Sequence, residues 1–283
     1  MPTRLPLTSR RNVPEVAATA RTSRDNKMEM LNPHCGIDRD DRGVVRLSIC
    51  NAGSLNILSS AVINGVREGF EKLAGDKDIR AVILAGQSEK SMIGGADIKE
   101  MAKLDQKSAE AFITRLRDLC EAVRHFPAPV IARLPGWCLG GGLEVAAACD
   151  FRIAAHDAKF GMPEVRVGIP SVIHAALLPR LIGWGRARWL VMTAENIDAP
   201  TALAWGLIDV VAKEGELDAA VEHTVKALLE CGTEALRSQK ALLRQWEELP
   251  LTESVNLSVG VFGKSFLTGE PQRLMQGFLD RKK

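Results

Sequence analysis

No apolar stretch of this 283-residue chain runs uninterrupted for anything near the roughly 20 residues that a membrane-spanning helix requires. An excess of one charge is lacking too. The 37 Lys and Arg against 35 Asp and Glu leave a net charge of +2, with no general push toward nucleic acid or a membrane surface. The six cysteines, Cys35, Cys50, Cys120, Cys138, Cys149 and Cys231, form no CxxC pair and have no metal-ligand spacing to the five histidines. They read as reduced packing thiols of a cytosol-like compartment. Three chemical signatures are also missing. There is no GxGxxG at a strand–helix junction with a downstream acid, no P-loop and no GxSxG elbow. Their absence argues against nucleotide-binding folds and serine hydrolases of the elbow type. With 46% hydrophobic and 25% charged residues, the composition is that of a soluble globular protein.

Residues 1–30 differ from the rest. Arg4, Arg10, Arg11, Arg21, Arg24 and Lys27 outnumber the acids there, and Ser, Thr and Pro fill the gaps. The segment has no apolar core of a secretory signal. It reads as a disordered tail, an organellar (mitochondrial) transit peptide, or sequence ahead of a true start at Met28 or Met30. It is set aside from the fold.

From Gly43 the pattern becomes regular. Val44–Ile49 reads as a strand, and Ser59-Ser60 caps a helix whose Val62, Val66, Phe70 and Leu73 share one face. Residues 81–85 read as a buried strand, residues 107–126 as an amphipathic helix, and 129–132 as a second buried strand. Such alternation predicts an α/β fold with parallel strands and right-handed crossovers. From Ser171 onward the pattern predicts helices only, at 171–182, 185–192, 199–205, 215–231, 233–248, 251–268 and 271–282.

The stretch from Gly136 to Asp150 carries the chemistry. Three consecutive glycines, Gly140, Gly141 and Gly142, leave the backbone bare before a helical segment, 143–149, whose one charged residue is Glu144. Bare N–H groups at a helix start suit a developing anion. A carboxyl one turn into an uncharged helix is desolvated, which raises its pKa. A second glycine loop, Gly94-Gly95-Ala96-Asp97, also follows a strand. In an open α/β sheet both loops emerge at the carboxyl end, and on neighbouring strands their amides can face one oxygen. The second carboxylate is Glu164, after Pro163. By itself it is a surface or capping residue; beside Glu144 it completes an acid–base pair. Asp97 is expected to cap its own helix, Asp150 to cap or pair with Arg152, and His174 to pack or line the pocket. Trp184, Trp189 and Trp205 are expected in the core, and Cys138 and Cys149 lack the basic neighbour that would activate a thiol.

Several stretches in the right order resemble the crotonase (enoyl-CoA hydratase/isomerase) superfamily: Ser54-Leu55-Asn56, residues 94–101, 136–150, 160–168 and 204–208. The resemblance implies a spiral of ββα units over 31–205 and a C-terminal helical region over 206–283 that covers the core and forms trimers or dimers of trimers. It implies an enoyl-CoA thioester as substrate, with coenzyme A as part of that substrate and no metal or redox cofactor. Ala96 and Gly141 would supply the oxyanion-hole amides. Glu144 would activate water and Glu164 supply the α-proton. Ser54, Leu55, Gly94, Gly95, Asp97, Ile98 and Gly140 would hold the substrate and its CoA portion. Two positions depart from many hydratases. Met162 stands where Gln is common, and 169–176 replaces a glycine-rich turn with bulkier residues. Both border the acyl pocket, and they leave the acyl group open. The alternatives are another acyl-CoA reaction of this family (isomerisation, dehydration of a branched acyl group, thioester hydrolysis) and a non-catalytic binding protein. An RNA-binding role would need a basic stripe, but on the 59–75 helix Arg67 and Lys72 are offset by Glu68 and Glu71.

Overall fold

The computed structural model describes residues 28–281, so most of the arginine-rich N-terminal segment lies outside the described residues. The fold begins with β1 (Glu29–Asn32), β2 (Cys35–Arg39) and β3 (Val44–Ile49), an antiparallel meander. Then α1 (Ser60–Leu73) opens at Ser59, whose hydroxyl accepts from the Val62 N–H. Its Val62, Val66, Phe70 and Leu73 are buried, as their helical spacing requires.

A repeat follows. β4 (Ala81–Gly86) and β5 (Ser91–Ile93) lead through the short α2 (Ile98–Met101) to α3 (Gln106–Arg124). β6 (Val130–Leu134) and β7 (Trp137–Leu139) lead to α4 (Gly141–Ala148). β8 (Phe151–Ala154) and β9 (Lys159–Gly161) lead through two 3₁₀ turns, Glu164–Val167 and Ile173–Leu177, to α5 (Leu178–Thr193). In each unit the first strand joins a larger sheet and the second a smaller one. The larger sheet holds β3, β4, β6 and β8 side by side in parallel; in the smaller one β7 lies between β5 and β9. The chain therefore winds as a spiral of ββα units rather than as a doubly wound sheet.

The remaining elements are β10 (Ile197–Asp198), α6 (Ala199–Trp205), β11 (Val210–Val211), α7 (Leu217–Leu229), α8 (Thr233–Glu248), α9 (Leu251–Ser265) and α10 (Glu270–Asp280). The expectation of helices only after residue 171 fails at β10 and β11. Each is two residues long, too short to show a period of two, and each exists because it pairs with β9 or β8. The break expected between two helices near 183–184 is real: Gly183, at φ +77°, kinks α5.

Two further expectations are corrected. Trp184 and Trp189 are exposed rather than in the core, since α5 turns that face outward. Asp150 does not pair with Arg152. It binds Lys240 Nζ at 2.7 Å and Arg244 at 2.8 Å and accepts the Val130 N–H at 2.7 Å, which ties α8 to the start of β6. Arg152 instead pairs with Asp209 at 2.9 Å. Arg152 is further fixed by the Leu207 and Cys149 carbonyls, which its guanidinium reaches at 2.8 and 2.9 Å, away from Asp150.

Candidate active site

The two glycine loops lie next to each other because β5 and β7 are parallel neighbours. The strands that deliver them are these short second strands, not the long 81–85 and 129–132 strands read from sequence. Gly142 lets α4 approach: a methyl group there would sit 2.4 Å from the Ile93 carbonyl oxygen at the end of β5. That contact sets the start of α4 directly against the 94–97 loop.

The 94–97 loop is also stitched to residues 55–58. The Gly94 N–H donates to the Leu55 carbonyl at 2.7 Å, Leu58 to Gly95 at 2.9 Å, and Asp97 to Leu58 at 3.0 Å. Since Gly95 and Asp97 make the bonds to Leu58, the Ala96 N–H between them points away from Leu58. The Gly141 N–H stands at the first position of α4, where an α-helix offers no internal acceptor. Asp97 caps α2, accepting the Lys99 and Glu100 N–H groups. Ser54, Leu55 and Ile98 are exposed, and Gly94, Gly95, Ala96 and Asp97 are half-buried. Asn56, to which the sequence reading assigns no role, is buried and donates to the Ser91 carbonyl at 2.8 Å, so it holds the 52–58 loop on β5. Its φ of +50° is a conformation that Asn adopts more readily than most residues.

Both carboxylates flank the Gly140–Gly141 peptide. A methyl group on Gly140 would sit 2.5 Å from Glu164 Oε1, and one on Gly141 would sit 3.9 Å from Glu144 Oε2. Glu144 is buried on α4 and accepts the Ala175 N–H at 3.0 Å. Burial pushes its pKa from 4.5 to about 8; the Ala175 bond opposes the shift and the nearby Glu164 charge adds to it. Glu164 opens the first 3₁₀ turn, and its Oε2 accepts the Ser171 hydroxyl at 2.8 Å. Burial raises its pKa as well. Two interacting carboxyls, both shifted upward, hold protons at a pH where ordinary carboxyls have lost them.

Ser171 and Ala175 were missed as site residues, although both sit in the bulky segment that departs from the family pattern. Met162 is fully buried next to Pro163. The thiols near the site are inert: burial raises Cys138, and it raises Cys149 to about 12. No helix among the described residues is long and apolar enough to cross a membrane.

Gly140 has φ +53° and ψ −125°, a region open essentially to glycine alone. Gly140→Ala therefore strains the turn and drives its methyl group into Glu164. The expected result is an activity loss of about tenfold to a hundredfold with a modest drop in melting temperature. Steady-state kinetics and a thermal melt of the variant check it.

The Enoyl-CoA hydratase/isomerase family profile matches residues 39–283. A crotonyl-CoA hydratase of Syntrophomonas wolfei is 33% identical over 231 residues, 81% of this chain and 89% of that protein. A human mitochondrial methylglutaconyl-CoA hydratase is 31% identical over 251 residues, 87% of this chain and 74% of that protein. A crystal structure of an enoyl-CoA hydratase from Mycobacterium smegmatis superposes with a TM-score of 0.84 at 29% identity, covering 88% of this chain and 97% of that one.

Proposed function

The chain belongs to the enoyl-CoA hydratase/isomerase family, and we propose from its site that it adds water across the 2,3-double bond of an enoyl-CoA thioester. One observation carries this reading: two carboxylates with raised pKa flank the same glycine peptide that lies against the 94–97 loop.

The thioester oxygen is gripped by the Ala96 and Gly141 N–H groups. This draws electrons from the double bond and leaves the β-carbon electrophilic. Glu144 takes a proton as water attacks that carbon. Glu164 gives its proton to the α-carbon, and the enolate charge returns from the oxygen to the new C–H bond. The product is a 3-hydroxyacyl thioester with one carboxyl proton exchanged for another. Glu144 and Glu164 lie close enough for their charges to interact, and in this reading they deliver water and proton to the same face of the double bond. Ser54, Leu55, Gly94, Gly95, Asp97, Ile98 and Gly140 hold the thioester and its CoA portion, and the reaction draws on no metal or redox group.

Purified protein mixed with an enoyl-CoA thioester is expected to bleach the conjugated-enoyl absorbance while 3-hydroxyacyl-CoA accumulates. A shifted double bond or free CoA as the product would point to isomerisation or hydrolysis instead.

Residues 206–283 serve in this reading as the covering and assembling region of a homotrimer or a dimer of trimers. Leu251, Val255, Val259 and Phe262 form an exposed stripe along α9, and Leu274, Met275, Phe278 and Leu279 are exposed on α10. Apolar faces of that extent mark association surfaces. Replacing Val259 and Phe262 by lysine is expected to lower the mass measured by sedimentation to that of a monomer; an unchanged mass would remove this surface from the assembly.

A further inference from the structure

His174 and Glu121 touch neither the glycine loops nor Glu164, yet one residue connects them to Glu144. On α3, Glu121 Oε1 binds His174 Nε2 at 2.8 Å, and its Oε2 faces His125 Nε2 at 3.0 Å. His174 is 7% exposed, and its Nδ1 is buried with no hydrogen-bond partner among the described residues. Such an atom costs less as a bare lone pair than as an N–H, so the geometry selects the neutral tautomer that donates from Nε2 to Glu121.

The next residue, Ala175, shares its N–H between the Val172 carbonyl at 2.9 Å and Glu144 Oε1 at 3.0 Å. The preceding residue, Ile173, has φ +40°, a left-handed conformation that a β-branched side chain adopts only when its surroundings impose it. A 3₁₀ helix of five residues with a strained entrance would relax by unwinding. The turn packs on α4 and α5, and the bond from His174 ties it as well to α3, a helix of 19 residues with a capping box at Asp105. The same α3 fixes Gly141, because Leu116 Cδ2 lies 2.7 Å from where a methyl group on that glycine would be.

We propose that the Glu121–His174 pair is a positioning clamp for the site. It pins the Ile173–Leu177 turn to α3 and so aims the Ala175 amide at the Glu144 carboxylate, against the strain stored at Ile173. The clamp rests on the assignment of Glu144 as the water-activating acid. The groups that face Glu144 are the Ala175 amide, Glu164 and the buried Cys120; those that face His174 are Glu121, Arg124 and His125. Burial holds the His174 pKa below its ordinary value although Glu121 pulls the other way, in keeping with a neutral imidazole.

His174→Ala tests the clamp, with His174→Gln as the variant that keeps a donor toward Glu121. His174→Ala is expected to lower kcat for enoyl-CoA hydration about tenfold to a hundredfold, with KM within about twofold. His174→Gln is expected to recover most of that loss. The Ala175 bond favours ionised Glu144, so loosening it moves the alkaline limb of the pH profile upward. A second readout does not use turnover: the melting temperature gained on adding Glu144→Gln, followed against pH. In the parent that gain stops growing near pH 8; in the His174→Ala background it is expected to keep growing beyond. An unmoved limb and plateau in His174→Ala would overturn the clamp, and so would equal losses in both His174 variants. A parent that hydrates no enoyl thioester sinks the functional assignment instead and leaves the melting readout to decide the clamp.

Discussion

Glu144→Gln and Glu164→Gln are each expected to cut the hydration rate by about 10²–10⁴-fold, because each removes one proton-transfer partner from a site that uses two. KM should change little, since neither change touches the Ala96 or Gly141 amide. Reaction needs the pair to hold a single proton. The rate should therefore fall at low pH, where both are protonated, and at high pH, where both are ionised. Glu144 reaches about 8, which places the alkaline limb near that pH. Stability should follow the Glu144 carboxyl instead. The fold favours neutral Glu144, so the parent loses stability as pH rises from the ordinary 4.5 to about 8 and levels off above it. Glu144→Gln keeps an acceptor for the Ala175 N–H and removes the charge. The expected result is a protein more stable by about 1–4 kcal/mol at pH 8 and unchanged below pH 4.5. Denaturant melts across pH check both signs together. A variant less stable at alkaline pH would show that the carboxylate contributes to the fold.

The second large effect lies outside the site. Asp150→Ala is expected to destabilise the fold by about 3–5 kcal/mol, because it leaves Lys240 buried without its counter-ion. Lys240 is 6% exposed and, among the described residues, keeps the Ala128 carbonyl at 3.0 Å. Arg244 loses one partner and retains Glu247 at 2.8 Å. Desolvation already holds the Lys240 pKa below its ordinary value, opposed by Asp150. The double variant Asp150→Ala, Lys240→Met should recover much of the loss, since the orphaned charge then disappears. A double variant no better than the single one would locate the cost in the lost Val130 N–H acceptor instead.

The sequence carried what local pattern can carry. The Ser59 cap, the buried faces of α1 and α3, and the strand 44–49 follow from spacing alone. Glu144 stood out because it is the one charge in an apolar helix, and Glu164 only through its partnership with Glu144. The missing pieces are those that exist through long-range pairing. β10 and β11 are strands because β9 and β8 lie beside them. Asp150 chose Lys240 and Arg244, ninety residues or more along the chain, over Arg152 two positions away. Ser171, Ala175 and Glu121 were invisible for the same reason: one hydroxyl, one backbone amide and one acid on the polar side of α3 carry no signal until the spiral brings them to the two glutamates.

A chromophoric enoyl thioester bound to the Glu144→Gln, Glu164→Gln double variant tests the central claim most directly. With the amides of Ala96 and Gly141 intact, the carbonyl should still be polarised. The bound ligand is expected to show a red-shifted absorption band that persists without hydration. Binding with no shift would contradict the grip on the thioester oxygen, and continued hydration by the double variant would contradict the pair of acids.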